Sequence, residues 1–345
     1  MITAKDSEFH PLHRDHPDNW RWTETTPLSF SVPEAGILGN LYIAARPKLG
    51  VALSSVGIVQ GFRFQPFEVD FSDAQMHLPC PDNFTDYELA SGLRVKVTNA
   101  PREYHFQYAY KLGGGCSLDL RFRGLHEPFD AADPEQNPLL RTEAGTRHDE
   151  RLGTQWGNPS TDPDDPSGHF ELIGHITGHL ELRGQRYEVD CHDCVDHSWS
   201  RRTETAKRAV SWISAVFGDD YGLHLAMLLD RRGGRTVYES LRNGFVMRNG
   251  EVLGLVSAEV EARHSHHCPM TCRIVATDVG GGRHEVQGTA IAVHPWYNYN
   301  PSHVACQSLM RWQTPAGRVG HSEMADIYGL EYLAERNAAA ISSSA

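Results

Sequence analysis

"EVDCHDCVDHSWSRR", residues 188–202, places three aspartates, two cysteines and two histidines in the eight positions from Asp190 to His197, followed by Trp199 and two arginines. Two readings compete for it. A bend would gather Cys191 and Cys194 on one metal ion, as in a zinc knuckle. An extended strand would send them to opposite faces. The preceding "GQRYEVD" has strand character, and the glycine or proline that usually turns a knuckle is missing. The extended reading is preferred. It groups Cys191, Asp193, Val195, His197 and Trp199 on one face, and Asp190, His192, Cys194, Asp196 and Ser198 on the other.

The same period-2 alternation recurs on both sides. "SGLRVKVTNAPREYHFQYAYKL" reads as a hairpin broken at Asn99-Ala100-Pro101, and "FELIGHITGHLELRGQRYEVDC" as two strands joined at Arg183-Gly184-Gln185. Further turns are expected at Gly233-Gly234, Asn243-Gly244 and Asn249-Gly250. Helical patterns are short, around Thr203–Ala209 and Glu323–Arg336. Many short strands with turns every ~8–12 residues predict an all-β protein of sandwiches or barrels. The polar, Pro/Gly/Asp-rich run from Arg141 to Gly168 is the one sharp change in composition. It divides the chain into a β domain at 1–150, a linker or long loop at 151–167 and a second β domain at 168–335, with a disordered tail at 336–345.

A net charge of −12 without a concentrated basic face argues against nucleic-acid binding. There is no run of ~18 apolar residues to span a membrane. The N-terminus has neither the apolar core nor the cleavage pattern of a secretory signal. The seven cysteines form no disulfide pattern, so a reduced, cytoplasmic protein is expected.

"ITGHLELRGQRYEVDCHDCVDHSWSRR" (176–202) resembles a recurring stretch of the AttH-like and carotenoid 1,2-hydratase-like proteins, centred on Asp-His-Ser-Trp. "WRWTETTPLSFSVPEAGILGNLYIAARPKLGVA" (20–52) is similar to their opening strands, and "GRVGHSEMADIYG" (317–329) to their closing one. The resemblance implies two lipocalin-like (calycin) domains in tandem. It also implies chemistry on alkenes and terpenoid or polyketide-like compounds: hydration, cyclisation or isomerisation. In the carotenoid hydratases a tyrosine and a carboxylate on the following strand join the His-x-Trp pair. Here the corresponding "DDYGLHLAM" carries His224.

The expected function is a hydro-lyase, isomerase or cyclase acting by proton transfer on a hydrophobic molecule inside a β-barrel cavity, without cofactor or metal. The catalytic candidates are His197, Asp196, Asp193 and His224. Trp199, Trp22, Glu24, Trp212 and Tyr108 are candidates for holding the substrate. Glu323 is a second carboxylate candidate on the last strand. Two alternatives stay open: a non-catalytic carrier of an apolar metabolite, and a zinc or iron enzyme using "HSHHCPMTC" (264–272), which reads as an exposed loop. Oligomeric state is not legible; a homodimer is one option.

Overall fold

The computed structural model describes residues 1–10, 19–113, 115–142, 167–202, 209–297 and 300–342. Its first sheet is built from β1 (Trp22–Val32), β2 (Ile37–Arg46), β3 (Val51–Gln60), β4 (Phe71–Pro79), β5 (Asp86–Glu88), β6 (Leu93–Asn99), β7 (Glu103–Ala109), β8 (Cys116–Gly124), β9 (Phe129–Asp130), β10 (Gly168–Leu182) and β11 (Gln185–Arg201). The order across it is β4-β3-β2-β1-β11-β10-β8-β7-β6-β5, and β9 pairs with β10. The sheet stays open but curls. Leu78 of β4 and Tyr87 of β5, near its two edges, share one core with Phe30, Phe106 and Phe122.

The remaining strands are β12 (Ala209–Val216), β13 (Tyr221–Arg232), β14 (Arg235–Arg248), β15 (Glu251–Ser265), β16 (Cys268–Asp278), β17 (Arg283–Trp296), β18 (His303–Gln313) and β19 (Val319–Gly329). They close in chain order into an antiparallel barrel. Eight strands leave a lumen just wide enough for side chains to fill. Ile213, Leu225, Val246, Ile274, Val286, Met310, Trp312 and Met324 fill it. The all-β tandem architecture expected from the sequence is therefore present. No helix among the described residues is long and apolar enough to cross a membrane.

Turn chemistry explains most connections. Arg183-Gly184, Gly233-Gly234 and Asn249-Gly250 all take positive φ and join strands as tight hairpins. Ala100–Pro101, a cis peptide bond, lies between β6 and β7. Asn243-Gly244 is not a turn: both residues pair with β13 inside β14, beside a register shift at Ala226/Met227. Residues 264–272 form no exposed loop either. His266 and His267, both at positive φ, make a tight turn between β15 and β16, and Cys268 and Cys272 are buried in the barrel.

The division of the chain also moves. β10 and β11 belong to the first sheet, so the passage from sheet to barrel falls between Arg201 and Ala209, not at 151–167. The composition shift marks an excursion between β9 and β10 within that sheet; residues 151–166 themselves lie outside the described residues, as do 203–208 of the expected Thr203–Ala209 helix. Glu323 sits in β19, and the helix there, α1 (Leu330–Ser342), begins seven residues later and runs into the stretch expected to be disordered.

Sheet and barrel pack face to face. Leu125, Phe129 and Ile173 meet Val216, Phe245 and Met247 on one side of the seam. On the other, Tyr42 and Leu53 meet Trp296 and Ala305, while Leu38 and Val59 meet Ala292 and Leu309. Polar side chains lie between these apolar clusters, and the cavity described next opens among them.

Candidate active site

β11 stays extended, pairing with β10 without a break from Gln185–Leu182 to Trp199–Gly168. Its alternation separates neighbours. His197 turns to the concave side of the first sheet, against Phe84 and Phe170. Cys194, Asp196 and Ser198 turn to the seam and line the cavity there. Asp193 departs from the alternation. Its carboxyl reaches the barrel, accepting the backbone N–H of Glu323 at 2.9 Å and that of Cys194 at 2.9 Å. On the other side of β11, the ladder to β1 skips Thr26 and Pro27; Pro27 has no N–H to donate and lines the cavity.

The seam cavity encloses about 110 Å³. Thr25, Ser29, Asn40 and Tyr42 come from β1 and β2, His169 from β10, Trp212 from β12, Trp296 from β17, Gln307 from β18 and Glu323 from β19. It is smaller than the ~150 Å³ apolar cavity that admits benzene. Tyr42, Arg202 and Asn300 are shared with a surface groove of about 250 Å³ walled by Leu49, Val51, Leu53 and Met76. A small chamber, lined by aromatic and aliphatic side chains around a few polar groups, thus adjoins a larger, mostly apolar vestibule.

Two carboxyl groups face the chamber. Glu323 accepts from Ser29 Oγ and Gln307 Nε2, both at 2.5 Å, and Gln307 exchanges hydrogen bonds with Asn40. Burial pushes the Glu323 carboxyl up to about 7 despite those donors. The adjoining Asp193 is pushed up too, first by burial and then by the nearby Glu323 charge. Asp196 is 8 % exposed, and its carboxyl accepts no hydrogen bond from any described residue. Burial raises it to about 7 against the opposing pull of His169 and Arg202.

Behind Asp196 lies a wholly buried triad. Glu171 of β10 accepts from or pairs with His169 Nε2 at 2.8 Å, and its other oxygen stands 2.6 Å from His224 Nε2 of β13. Burial would raise the Glu171 carboxyl, yet the two imidazoles outweigh it and hold it at about 2. His169, penalised by burial, is nonetheless raised by Glu171. Trp212 packs edge-on against both rings. His224 of the barrel thus meets its carboxylate, Glu171, from the other half of the protein.

The concave face carries a second cluster. Glu24 of β1 meets His197 Nε2 at 3.2 Å and His10 Nδ1 at 3.3 Å. Trp22 donates its indole N–H to Glu24, and the His10 ring lies flat on Trp199, with centroids 3.8 Å apart.

The sequence candidates therefore fall into three places. Asp196, Asp193, His224 and Trp212 gather at the seam. His197, Glu24, Trp22 and Trp199 gather on the opposite face of the same sheet. Tyr108 joins neither: its hydroxyl donates to Asp73 at 2.8 Å beside Phe71. The imidazole–indole pair does not line a barrel cavity, because the barrel lumen is packed and the enclosed space lies between sheet and barrel. Reading the sequence missed His10, His169, Glu171 and Gln307. "HFELIG" does signal a strand that buries its charged Glu171, but nothing local names the partner across the seam.

The family described as "Domain of unknown function (DUF7064)" matches residues 3–328. No curated protein matches the sequence. A putative AttH from Nitrosomonas europaea is similar in structure, with 12% identity, TM-score 0.54, and 93% of this chain and 99% of that chain covered. Kievitone hydratase from Nectria haematococca is similar at 9% identity and TM-score 0.54, covering 93% of each chain. CghA is similar at 9% identity and TM-score 0.56, covering 90% of this chain and 88% of the other. The chain belongs to the DUF7064 family, and its fold is that of the AttH-like proteins expected from the Asp-His-Ser-Trp stretch.

Proposed function

We propose that this DUF7064 protein is an acid–base enzyme of the hydratase, isomerase or cyclase kind, acting without an organic cofactor on a hydrophobic alkene-bearing molecule held in the seam. The observation that carries this reading is Asp196: a buried carboxyl facing the chamber with no hydrogen-bond partner of its own among the described residues. Such a group is held ready to bond to a ligand. The fold shared with a protein titled kievitone hydratase supports the same class of chemistry.

In the proposed step the protonated Asp196 gives its proton to one alkene carbon. The π pair becomes the new C–H bond and the other carbon becomes cationic. Trp212, Trp296 and Tyr42 line the space in which that charge would form, where aromatic faces stabilise cations. Water adding to the cation gives hydration, loss of a neighbouring proton gives isomerisation, and attack by a second double bond of the same molecule begins cyclisation. A proton returns to the Asp196 carboxylate at the end, so the residue is regenerated. The His169–Glu171–His224 triad fixes the local charge around Asp196, and the apolar vestibule would take the rest of the substrate.

The test is incubation with a panel of terpenoid alkenes in deuterium oxide, followed by mass spectrometry. The proposal expects at least one substrate to return carrying carbon-bound deuterium, and Asp196→Asn to abolish that while still binding it. Ligands that bind the seam and return unaltered would support the carrier reading instead.

A further inference from the structure

We propose that His10, Glu24 and His197 form a divalent transition-metal site of two imidazoles and one carboxylate, which fastens the N-terminal segment to the concave face of the first sheet. It is distinct from the seam chamber, which lies on the other face of β11.

The spacing fits an ion. Glu24 Oε2 is 3.3 Å from His10 Nδ1 and 3.2 Å from His197 Nε2, and all three candidate ligand atoms lie within 4.8 Å of one another. Tetrahedral zinc with bonds of ~2.0–2.1 Å places its ligand atoms ~3.3 Å apart. The surrounding groups orient each ligand from behind. His197 Nδ1 donates to the backbone carbonyl of Asp6 at 2.8 Å, which turns Nε2 toward Glu24. His10 Nε2 meets the Asp6 carboxylate at 3.3 Å, which turns Nδ1 the same way. Glu24 Oε1 is occupied by the His10 backbone N–H at 2.7 Å and the Trp22 indole at 2.9 Å, which leaves Oε2 for the shared point. Metal-bound histidines characteristically use their second nitrogen in this way.

Two imidazoles and a carboxylate are a donor set suited to zinc and to ferrous iron. A second His/acid group, His175–His192–Asp219, lacks this arrangement. His192 Nε2 and His175 Nε2 are taken by the half-exposed Asp219 and the exposed Asp190.

The test is titration of the chelator-stripped full chain with zinc chloride and, separately, cobalt chloride. The expected result is one tight equivalent of zinc, and quenching of tryptophan emission by cobalt through Trp199 and Trp22. Glu24→Gln should weaken zinc binding ~100-fold or more, and Asp6→Asn, acting through the second nitrogen, ~10–100-fold. His10→Gln lies on the partly exposed N-terminal segment and keeps the test open should Glu24→Gln fail to fold; it should also lose the tight equivalent. His192→Gln should retain it. The proposal is overturned if the stripped wild-type chain takes up no tight equivalent, or if His192→Gln loses it while His10→Gln keeps it.

Discussion

Asp196 and His197 are neighbours in sequence, yet a strand's two-residue period sends one to the seam and the other to the concave face. A reading of the sequence that treats Asp-His as one catalytic unit is therefore divided by the backbone itself. Replacing Asp196 with Asn keeps the shape and removes the acid. Turnover on a substrate found in the deuterium screen should fall ~10²–10⁴-fold, the range for loss of a general acid, with affinity within a few fold of wild type. His197→Ala should leave the seam chemistry far less affected, because no atom of His197 lines the chamber. Steady-state kinetics on the two variants separates the faces; equal losses in both would discard the assignment of the acid to Asp196. The alternation that sorts the two residues was legible in "EVDCHDCVDHSWSRR". The departure of Asp193 toward the barrel was not, since it is drawn there by the backbone N–H of Glu323, distant in the chain.

At the scale of elements, the strands were readable because each buries alternate residues, and the turns because Gly-containing pairs take positive φ at low cost. Asn243-Gly244 shows the limit. It has turn composition, but a Cβ on Gly244 would lie 2.7 Å from the His224 carbonyl, so glycine serves close strand packing there. Gly254 of β15 does the same across the seam. A Cβ at this position would come within 2.1 Å of the Gln136 carbonyl and 2.5 Å of Pro138, on the segment that leads out of β9. Neither is the free end of a flexible side chain, so the segment would have to move. Gly254→Ala should cost about 1–3 kcal/mol by chemical denaturation, the usual range for overpacking. Gly281→Ala, in a turn with nothing near its Cβ, should lose only what its positive φ imposes. A Gly254→Ala protein as stable as wild type would mean that β15 and the segment at Gln136 and Pro138 do not pack closely at this point.

For the whole molecule, the seam joins a sheet and a barrel that the sequence presents as two similar halves, and its polar centre is built from charges contributed by both. Nothing in either half announces that Glu171 will meet His224, or that Asp193 will meet Glu323, because those pairings arise only when the two faces dock. They should make the docking depend on pH from both directions. The Glu171 carboxyl is held at about 2, below its ordinary 4.5, so its stabilisation is present above about 4.5 and is lost as pH falls toward 2. The Glu323 carboxyl is raised from 4.5 to about 7, so the folded state favours its proton. That stabilisation is complete below 4.5 and is lost as pH rises through 7. Each limb can change stability by at most ~1.4 kcal/mol per pH unit for one group. Melting followed by near-ultraviolet circular dichroism should therefore give a lower transition temperature at pH 3 and at pH 8 than at pH 5. Glu171→Gln should shrink the acid limb, to which Glu24, also held at about 2, contributes as well. Glu323→Gln should shrink the alkaline one, to which Asp196, raised to about 7, contributes as well. Each should leave the opposite limb in place. If Glu323→Gln leaves the alkaline limb unchanged, the Glu323 carboxyl is not among the groups that loosen the seam as pH rises.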